Sequence, residues 1–336
     1  MSEIRYDLLR NENVIIAPSR LTRPNLYPTE NEKTSNITLC PFCRGHEDMT
    51  PKEIYSLKDN SGWRVRVVPN LYKALEIEGY YGFKEDGLYE KSDGFGAHEI
   101  IIDTPNHELF FENLEILQMK NWIKVIKQRV CDLQKDIRLT YFSIFKNQGQ
   151  NSGATLPHIH TQLIAMPVMP KNILSLMYHY YDYYRYHGRS VFEDIINYEK
   201  EQNIRTVCES EYFLAFCPYG SMSAFEVVIM PKTGISSICQ LQEDMYEEFL
   251  KTVKKVLQAL RLQIDKFDYN LYIQNPPFQK NYESENFFDN IQNFYRFHMV
   301  ITPRIYKTGG FEIQTNTHIN PLSPENAAEF LRESIK

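Results

Sequence analysis

Three polar side chains recur at every second position in one short segment of the chain. They are His158, His160 and Gln162, and the residues that follow are apolar as far as Met166. On a β-strand, positions two apart share one face of the sheet. Imidazole is a nucleophile near neutral pH, and an amide can donate a hydrogen bond to a phosphoryl oxygen. The spacing therefore indicates a phosphoryl-transfer site, with a solvated strand face as the alternative interpretation.

A polar loop over residues 147–157 precedes this segment. It contains Gly149 and Gly153 together with other small residues. Glycine allows backbone N–H groups to approach a phosphate closely. The loop has little specificity by itself, but beside a His-x-His-x-Gln strand it supports phosphate binding.

Two cysteines form a second constellation, Cys40-Pro41-Phe42-Cys43. Thiolates with this spacing are typical of zinc sites, and a redox pair or unused thiols are the alternatives. The other cysteines are scattered through apolar patterns: Cys131, Cys208, Cys217 and Cys239. This usage favours a reducing compartment over a disulfide framework.

The elements that must position these residues occur twice. Alternating and apolar runs predict strands over 63–68 and 98–103, a helix capped by Asn113, and strands over 141–145 and 158–166. The same order recurs over 212–216, 225–230, 241–260, 269–273 and 297–303. We therefore predict an α+β fold of two tandem halves, each a mostly antiparallel sheet with a packed helix.

A Tyr-rich segment separates the two halves. The predicted division is an N-terminal half over 1–170 with both constellations, a helical connector over 171–200, and a C-terminal half over 201–336. We expect the C-terminal half to form the sugar or acceptor side of the site.

Composition excludes several classes of protein. The 336 residues are 43% hydrophobic and carry a formal net charge of −6, which gives no electrostatic reason to expect a nucleic-acid partner. No apolar run reaches the length of a membrane span, and the charged N-terminus lacks the apolar stretch of a signal peptide. We expect a cytoplasmic globular protein with neither nucleic-acid nor membrane partners.

The order and spacing of several motifs resemble those of the galactose-1-phosphate uridylyltransferases and their relatives in the histidine-triad superfamily. The matching segments are 19–24, 40–43, 68–75, 104–107, 147–162, 217–219, 225–226 and 231–232. Two C-terminal segments, 309–313 and 319–321, are more similar to the ADP-glucose phosphorylase branch. The resemblance implies two tandem histidine-triad-like halves.

The resemblance also implies a mechanism. His160 would attack the α-phosphorus of a nucleoside diphosphate sugar, sugar 1-phosphate would leave, and a phosphate-bearing acceptor would then take the nucleotide. Covalent catalysis of this kind divides one transfer into two and gives ping-pong kinetics. Related hydrolases carry a third His where this chain has Gln162. Because Gln cannot act as an acid at pH 7, transfer is favoured over hydrolysis.

Binding roles follow from the same resemblance. The implied substrate-binding set is Arg20, Arg23, Asn70, Asn147, Gly149, Thr155, Phe311 and Glu312. The two arginines would hold the diphosphate, since guanidinium forks suit that role, and a solvated loop is the alternative. Asn70 would contact the nucleoside, and Glu312 the hexose hydroxyls. In the uridylyltransferases the C-terminal segment reaches the partner subunit's site, which implies a homodimer.

A metal site is the last implication of the resemblance. His107 and His158 match the family's remaining ligands, so the set is Cys40, Cys43, His107 and His158. Four protein ligands leave no open position, which implies one structural zinc ion. His98 is a competing ligand candidate. Some galactose enzymes have a second metal site, of which only His298 remains here.

Three functions stay open at this point. The first is a UDP-glucose–hexose-1-phosphate uridylyltransferase-like enzyme, in which Thr161, standing where Gly is usual, would crowd the acceptor. The second is a phosphorylase or adenylyltransferase acting on ADP-glucose or a dinucleoside polyphosphate. The third is a nucleotide-binding protein without turnover. The sequence does not decide the base, the sugar, the acceptor or the metal.

Overall fold

The computed structural model describes residues 1–22, 39–264, 268–278 and 290–335. Fifteen strands lie within these ranges: β1 Glu3–Asp7, β2 Glu12–Ile16, β3 Tyr55–Asp59, β4 Gly62–Pro69, β5 Phe83–Asp86, β6 Tyr89–Ser92, β7 Ala97–Ile102, β8 Tyr141–Gln148, β9 His160–Met166, β10 Thr206–Glu209, β11 Phe213–Phe216, β12 Val227–Pro231, β13 Tyr269–Gln274, β14 His298–Pro303 and β15 His318–Asn320. The α-helices there are α1 Ile116–Leu133, α2 Lys171–His187, α3 Val191–Gln202, α4 Tyr246–Ile264, α5 Ile291–Phe294, α6 Gly310–Thr315 and α7 Pro324–Ile335. None of them is long and apolar enough to cross a membrane.

Ten strands form one antiparallel sheet in the order β10-β11-β12-β14-β13-β8-β9-β7-β4-β3. From the middle outwards, each half has the same arrangement of five strands, and α1 and α4 occupy equivalent places in the chain. The predicted α+β class with a repeated antiparallel unit is therefore confirmed. The halves do not form separate sheets, however, because β8 pairs with β13 through five residue pairs and joins them edge to edge.

The apolar faces of α1 and α4 cover one side of this sheet. Met119, Trp122, Ile123 and Ile126 of α1 pack in one cluster with alternate residues of the strands, such as Leu163. Because side chains alternate along a strand, His160, Gln162 and Ile164 point to the opposite side. The two helices therefore cover the side of β9 that carries Leu163 and do not cover the side that carries His160 and Gln162.

Among the differences between predicted and observed boundaries, three change the position of a named residue. β9 begins at His160, so His158 lies in the bend before the strand. Asn113 ends a short 3-10 turn and donates to Glu108 Oε1 instead of capping α1, whose N-cap is Glu115. The strand predicted from Phe225 begins at Val227, because Phe225 has a φ of 60° that no strand accommodates.

The connector consists of α2 and α3. Apolar residues of both helices, including Met177, Tyr180 and Phe192, form a cluster with Leu214 and Val300 of the C-terminal strands. These strand residues belong to the side opposite α4. The front of the sheet is therefore covered by helices in the C-terminal half.

Candidate active site

His160 is buried at the first position of β9. Its Nδ1 lies 2.8 Å from the carbonyl oxygen of His158, to which it donates. A neutral imidazole with its proton on Nδ1 has a free lone pair on Nε2. Burial lowers the pKa of His160, which favours this neutral form. The ring is thus held in the tautomer that a nucleophile requires.

Thr161 faces away from the site. Its hydroxyl donates to Asp103 Oδ1 at 2.9 Å and accepts from Trp122 Nε1 at 2.8 Å, under the helix α1. Neighbouring residues of a strand point to opposite sides. The expectation that Thr161 crowds the acceptor is therefore wrong for the side chain, which is fully buried behind β9.

A buried ion pair supports the strand from the same side. The ammonium of Lys146 contacts Asp103 Oδ2 and also donates to the carbonyl oxygen of His160 at 3.0 Å and to Thr161 Oγ1 at 3.1 Å. Both charged side chains have 0% exposure. Burial lowers the pKa of Lys146, and Asp103 opposes that shift. Lys146 thereby ties the backbone at His160 to β8.

The four predicted metal ligands lie together. The ligand atoms of Cys40, Cys43, His107 and His158 are all within 4.8 Å of one another. The Sγ–Nδ1 distances are 3.5 Å for Cys40–His158, 3.3 Å for Cys43–His107 and 3.6 Å for Cys43–His158. Two ligands of a tetrahedral ion, one thiolate at about 2.3 Å and one imidazole at about 2.0 Å, would be about 3.5 Å apart. The cluster can therefore hold a metal ion.

The orientation of His158 fits this role. Its Nε2 donates to the carbonyl oxygen of Thr104 at 3.0 Å, which leaves Nδ1 unprotonated and turned towards the thiols. Burial lowers the pKa of His158 to about 4. The competing candidate, His98, contacts other residues and is not among these four.

Phe42 connects the cysteine–histidine cluster to His160. Phe42 lies between the two cysteines in the sequence. Its ring packs edge-on against the ring of His160, with ring centroids 5.3 Å apart. It also contacts His158 at 6.0 Å. A change in the conformation of the cysteine loop would therefore alter the packing against the His160 ring.

Gln162 takes part in a polar contact across the front of the sheet. Its Oε1 lies 3.1 Å from Nε2 of His98 on β7, and the amide nitrogen of Asn70 lies 3.0 Å from the same ring nitrogen. The other ring nitrogen, His98 Nδ1, accepts from the backbone N–H of Ala74 at 3.2 Å. The structure thus brings Asn70 and Gln162 together around one imidazole.

The glycine-containing loop before β9 differs from the phosphate-binding loop that the sequence predicts. Gly149 has a φ of +83°, and a Cβ there would lie 1.7 Å from Asp268 Oδ1. The backbone N–H of Asn151 donates to the same carboxylate at 2.7 Å. Gly149 therefore accommodates Asp268 from the C-terminal half rather than an open phosphate cradle. Thr155 is exposed.

Asn147, on β8, lies close to His160 and Gln162 on β9. β8 pairs with β9 at Phe145 and Gln162, and two further steps of this register place Asn147 beside His160. Its Oδ1 accepts from Asn270 Nδ2 at 2.8 Å. Asn270 in turn borders a polar cavity of 330 Å³ lined by Asn151, Ser152, Asn270, Arg304, Tyr306, Lys307 and Thr308.

The remaining predicted substrate residues lie elsewhere. Arg20 is partly buried at a 3-10 turn, Pro18–Thr22, and Arg23 lies outside the described residues. Glu312 accepts from the backbone N–H of Gly309 at 3.0 Å and caps α6, while Phe311 is 45% exposed. Within the described part of the chain, no hydrogen bond or ion pair joins them to β9.

Models of one protein family match both halves of this chain. The N-terminal domain of galactose-1-phosphate uridyl transferase matches residues 1–170, and the C-terminal domain of that enzyme matches residues 177–334. The chain belongs to the galactose-1-phosphate uridyl transferase family. The predicted resemblance and the predicted enzyme class, a nucleotidyltransferase, are thereby confirmed.

Relatives of two named activities are almost equally similar to this member of the family. It is 29% identical to an ADP-glucose phosphorylase of Arabidopsis thaliana, over 98% of this chain and 92% of that protein. It is 28% identical to a galactose-1-phosphate uridylyltransferase of Thermotoga maritima, over 99% of each. A crystal structure of an Arabidopsis thaliana ADP-glucose phosphorylase with bound ADP-glucose superposes with a TM-score of 0.83, at 27% identity and 99% coverage of both chains.

Three groups at the site are absent from the sequence-based set. Lys146 follows Phe142 and Ile144 at every second position of β8, so it belongs to the buried face of the strand. A charged residue on a buried face is rare unless it is paired, and this signal could have identified Lys146. Phe42 lies inside the cysteine motif, and as an apolar residue it gives no sequence signal of a role at the site. His98 appeared only as a competing metal ligand, and its contact with Gln162 depends on the β7–β9 register.

Proposed function

We propose that this protein transfers a nucleoside monophosphate from a nucleoside diphosphate sugar to a phosphate-bearing acceptor, through a covalent intermediate on His160. The observation that carries the proposal is the contact of His160 Nδ1 with the His158 carbonyl oxygen at 2.8 Å. It leaves Nε2 as the nucleophilic atom, on the strand face that also bears Gln162.

The two half-reactions are displacements at the α-phosphorus. His160 Nε2 forms a bond to phosphorus while the bond to the bridging oxygen breaks, and sugar 1-phosphate leaves with that oxygen. A phosphate oxygen of the acceptor then attacks phosphorus, and the N–P bond breaks to regenerate neutral imidazole. Gln162 supports both steps by donating to a non-bridging oxygen. It offers no proton to a poor leaving group, which suits phosphate leaving groups.

A hexose 1-phosphate is the acceptor that we propose first. The chain resembles the uridylyltransferases over its whole length, and the named Thermotoga relative covers 99% of it. The cavity beside Asn270 supports this choice, because the cations of Arg304 and Lys307 border it together with amide and hydroxyl groups. Such a lining suits a phosphorylated sugar.

A second candidate is a phosphorylase that uses ADP-glucose and inorganic phosphate. It is favoured by the Arabidopsis relative, at 29% identity, and by the TM-score of 0.83 to a structure with bound ADP-glucose. Both candidates require the same covalent half-reaction on His160. They differ in the base of the donor and in the acceptor.

Zinc is the metal that we propose for the cysteine–histidine cluster. Two thiolates and two imidazoles at these separations suit a tetrahedral zinc ion with no open position. Such an ion would fix the loop that carries Phe42 against His160. Its role would be structural, and no chemical step depends on it.

A homodimer and a cytoplasmic location also belong to the proposal. Exposed apolar side chains on α6, Phe311 at 45% and Ile313 at 76%, support a partner surface at the segment that reaches the neighbouring site in the uridylyltransferases. Sedimentation of the purified protein, alone and as Ile313→Glu, tests this, and a wild-type monomer would contradict it.

Intact-protein mass spectrometry tests the main proposal. The wild type is mixed separately with UDP-glucose, ADP-glucose and diadenosine tetraphosphate, with His160→Asn as the control. A gain of one UMP or one AMP on the wild type alone is expected, and it identifies the base. No adduct with any donor from a folded, metal-loaded protein would contradict covalent transfer and favour a nucleotide-binding protein.

A further inference from the structure

We propose that His98 is a positioning residue that fixes the amide of Gln162 in the orientation that donates to the transferring phosphoryl group. This inference rests on the proposed function. His98 lies on β7 and Gln162 on β9, which are adjacent antiparallel strands with Ile100 opposite Gln162. His98 is therefore diagonal to Gln162 on the front of the sheet, and their side chains meet at 3.1 Å.

The protonation of His98 follows from its neighbours. Its Nδ1 accepts from the backbone N–H of Ala74 at 3.2 Å, so that nitrogen carries no proton. A neutral imidazole then carries its proton on Nε2. The partner within reach of this N–H is Gln162 Oε1, which accepts it.

Asn70 does not compete for this bond. Its Oδ1 accepts from the backbone N–H of Tyr72 at 2.9 Å, which fixes the amide nitrogen on the side of His98. Because His98 Nε2 is already protonated, the amide nitrogen of Asn70 cannot donate to it. Of the two amides near His98 Nε2, only Gln162 therefore offers an oxygen, and the proton of His98 goes to it.

The bond to His98 decides which end of the Gln162 amide faces the substrate. The two ends are nearly the same size, so an unrestrained amide can rotate and exchange oxygen for nitrogen. With Oε1 held by His98, the nitrogen must point away from β7, on the face shared with His160. Within the described part of the chain, no other hydrogen bond engages the Gln162 amide. Without His98, a carbonyl oxygen could face the phosphoryl oxygens and repel them.

Two substitutions separate this role from a purely structural one. His98→Asn retains an acceptor near the position of Nδ1 for Ala74 but loses the reach to Gln162. His98→Gln places an amide N–H near the position of Nε2 and retains the bond to Gln162. A residue that only anchors the loop at Ala74 would tolerate Asn better than Gln. A residue that positions Gln162 would tolerate Gln better than Asn.

Single-turnover nucleotidylation of His160, followed by rapid quench and mass spectrometry, measures the effect. Loss of one transition-state donor costs roughly 100-fold in rate, so Gln162→Ala should show about that loss. We expect His98→Asn to slow the step about 10- to 100-fold, with half-saturation by the donor within about threefold of the wild type. His98→Gln should recover most of the rate.

The double variants give the decisive comparison. On the Gln162→Ala background, His98→Asn should cost less than about twofold, because the group that it positions is gone. An equal cost on both backgrounds, or a loss with His98→Gln as large as with His98→Asn, would overturn the inference. Failure of the proposed function is distinguishable, since the wild type itself would then form no adduct.

Discussion

The two halves of the molecule use the same strands for different purposes. In the N-terminal half, the front of β9 carries His160 and Gln162 beside the cysteine–histidine cluster that could hold a metal ion. In the C-terminal half, the equivalent strand β14 carries His298, whose Nδ1 donates to the Arg296 carbonyl oxygen at 3.1 Å. That contact closely copies the one that holds His160. The same backbone contact therefore occurs in both halves, and the two imidazoles are distinguished by their surroundings.

The difference lies in what covers each imidazole. His298 is packed against Phe192, with ring centroids 5.7 Å apart, beneath the apolar cluster of the connector. His160 is buried to a similar extent, at 6% exposure against 3% for His298, but it packs against Phe42 of the cysteine loop and shares its strand face with Gln162. Under the proposed function the N-terminal half provides the chemistry, and the C-terminal half provides residues that contact the loop before β9, such as Asp268 and Asn270.

The largest expected effect compares the two imidazoles directly. His160→Asn should abolish the nucleotidyl adduct, at least about a thousandfold, because no other group replaces the nucleophile. His298→Asn should leave the adduct rate within about threefold, since His298 is shut off by the connector. Rapid-quench mass spectrometry of both variants measures this. Loss of the adduct in folded His298→Asn would show that the halves are not divided as we describe.

Removal of the metal should have the next largest effect. Cys43→Ser should lose the bound ion and lower the melting temperature by more than about 5 °C, because a structural ion contributes its binding energy to folding. Cys131→Ser, an exposed cysteine outside the cluster, is the matched control and should change neither. Elemental analysis and calorimetry measure the two quantities. Unchanged metal content in Cys43→Ser would refute the ligand set.

The central strand pair offers a third comparison. Lys146 lies directly opposite Leu271 on the helix-covered side, so a buried ion faces an apolar residue across the junction of the halves. Lys146→Met should cost about 3–5 kcal/mol of unfolding free energy, because it leaves the buried carboxylate of Asp103 without its countercharge. Leu271→Ala should cost about 2–5 kcal/mol through a cavity.

Urea unfolding at pH 7 measures both costs. The double substitution Lys146→Met with Asp103→Leu should recover most of the loss, since an apolar pair needs no compensation. A cost below about 1 kcal/mol for Lys146→Met alone would mean that water reaches Asp103, contrary to its burial.

The smallest effect concerns the two sides of β9. Thr161→Val should cost about 1–3 kcal/mol of stability, because Asp103, Trp122 and Lys146 lose a hydroxyl partner. Thr161→Ser retains the hydroxyl and should differ little from the wild type. In both, the rate of the second half-reaction with a saturating acceptor should be unchanged. A faster acceptor step in Thr161→Ser would restore the idea that this side chain crowds the site.

Much of the fold and part of the site could be predicted from local patterns. The period-two spacing placed His160 and Gln162 on one strand face, and the same parity shows that Thr161 must face α1. Helical spacing identified α1 and α4 from Met119, Trp122 and their counterparts. These signals lie within one element and need no knowledge of its neighbours.

Other features depend on contacts between distant parts of the chain. The sequence predicts that Gly149 allows a phosphate to approach the backbone, whereas the structure places the carboxylate of Asp268 against it. His98 meets Gln162 only through the register of β7 and β9. Nothing in either strand alone indicates that β8 pairs with β13. Such pairings depend on the tertiary arrangement, which local propensity does not encode.

The edge-to-edge union of β8 and β13 has a consequence for the chain during its synthesis. Once β9 has left the ribosome and paired with β8, the other edge of β8 stays unpaired until Tyr269 and the rest of β13 appear. At 5–20 residues per second this delay is on the order of ten seconds. An open strand edge recruits other strands during that time. A chain truncated after the connector should therefore be prone to aggregate.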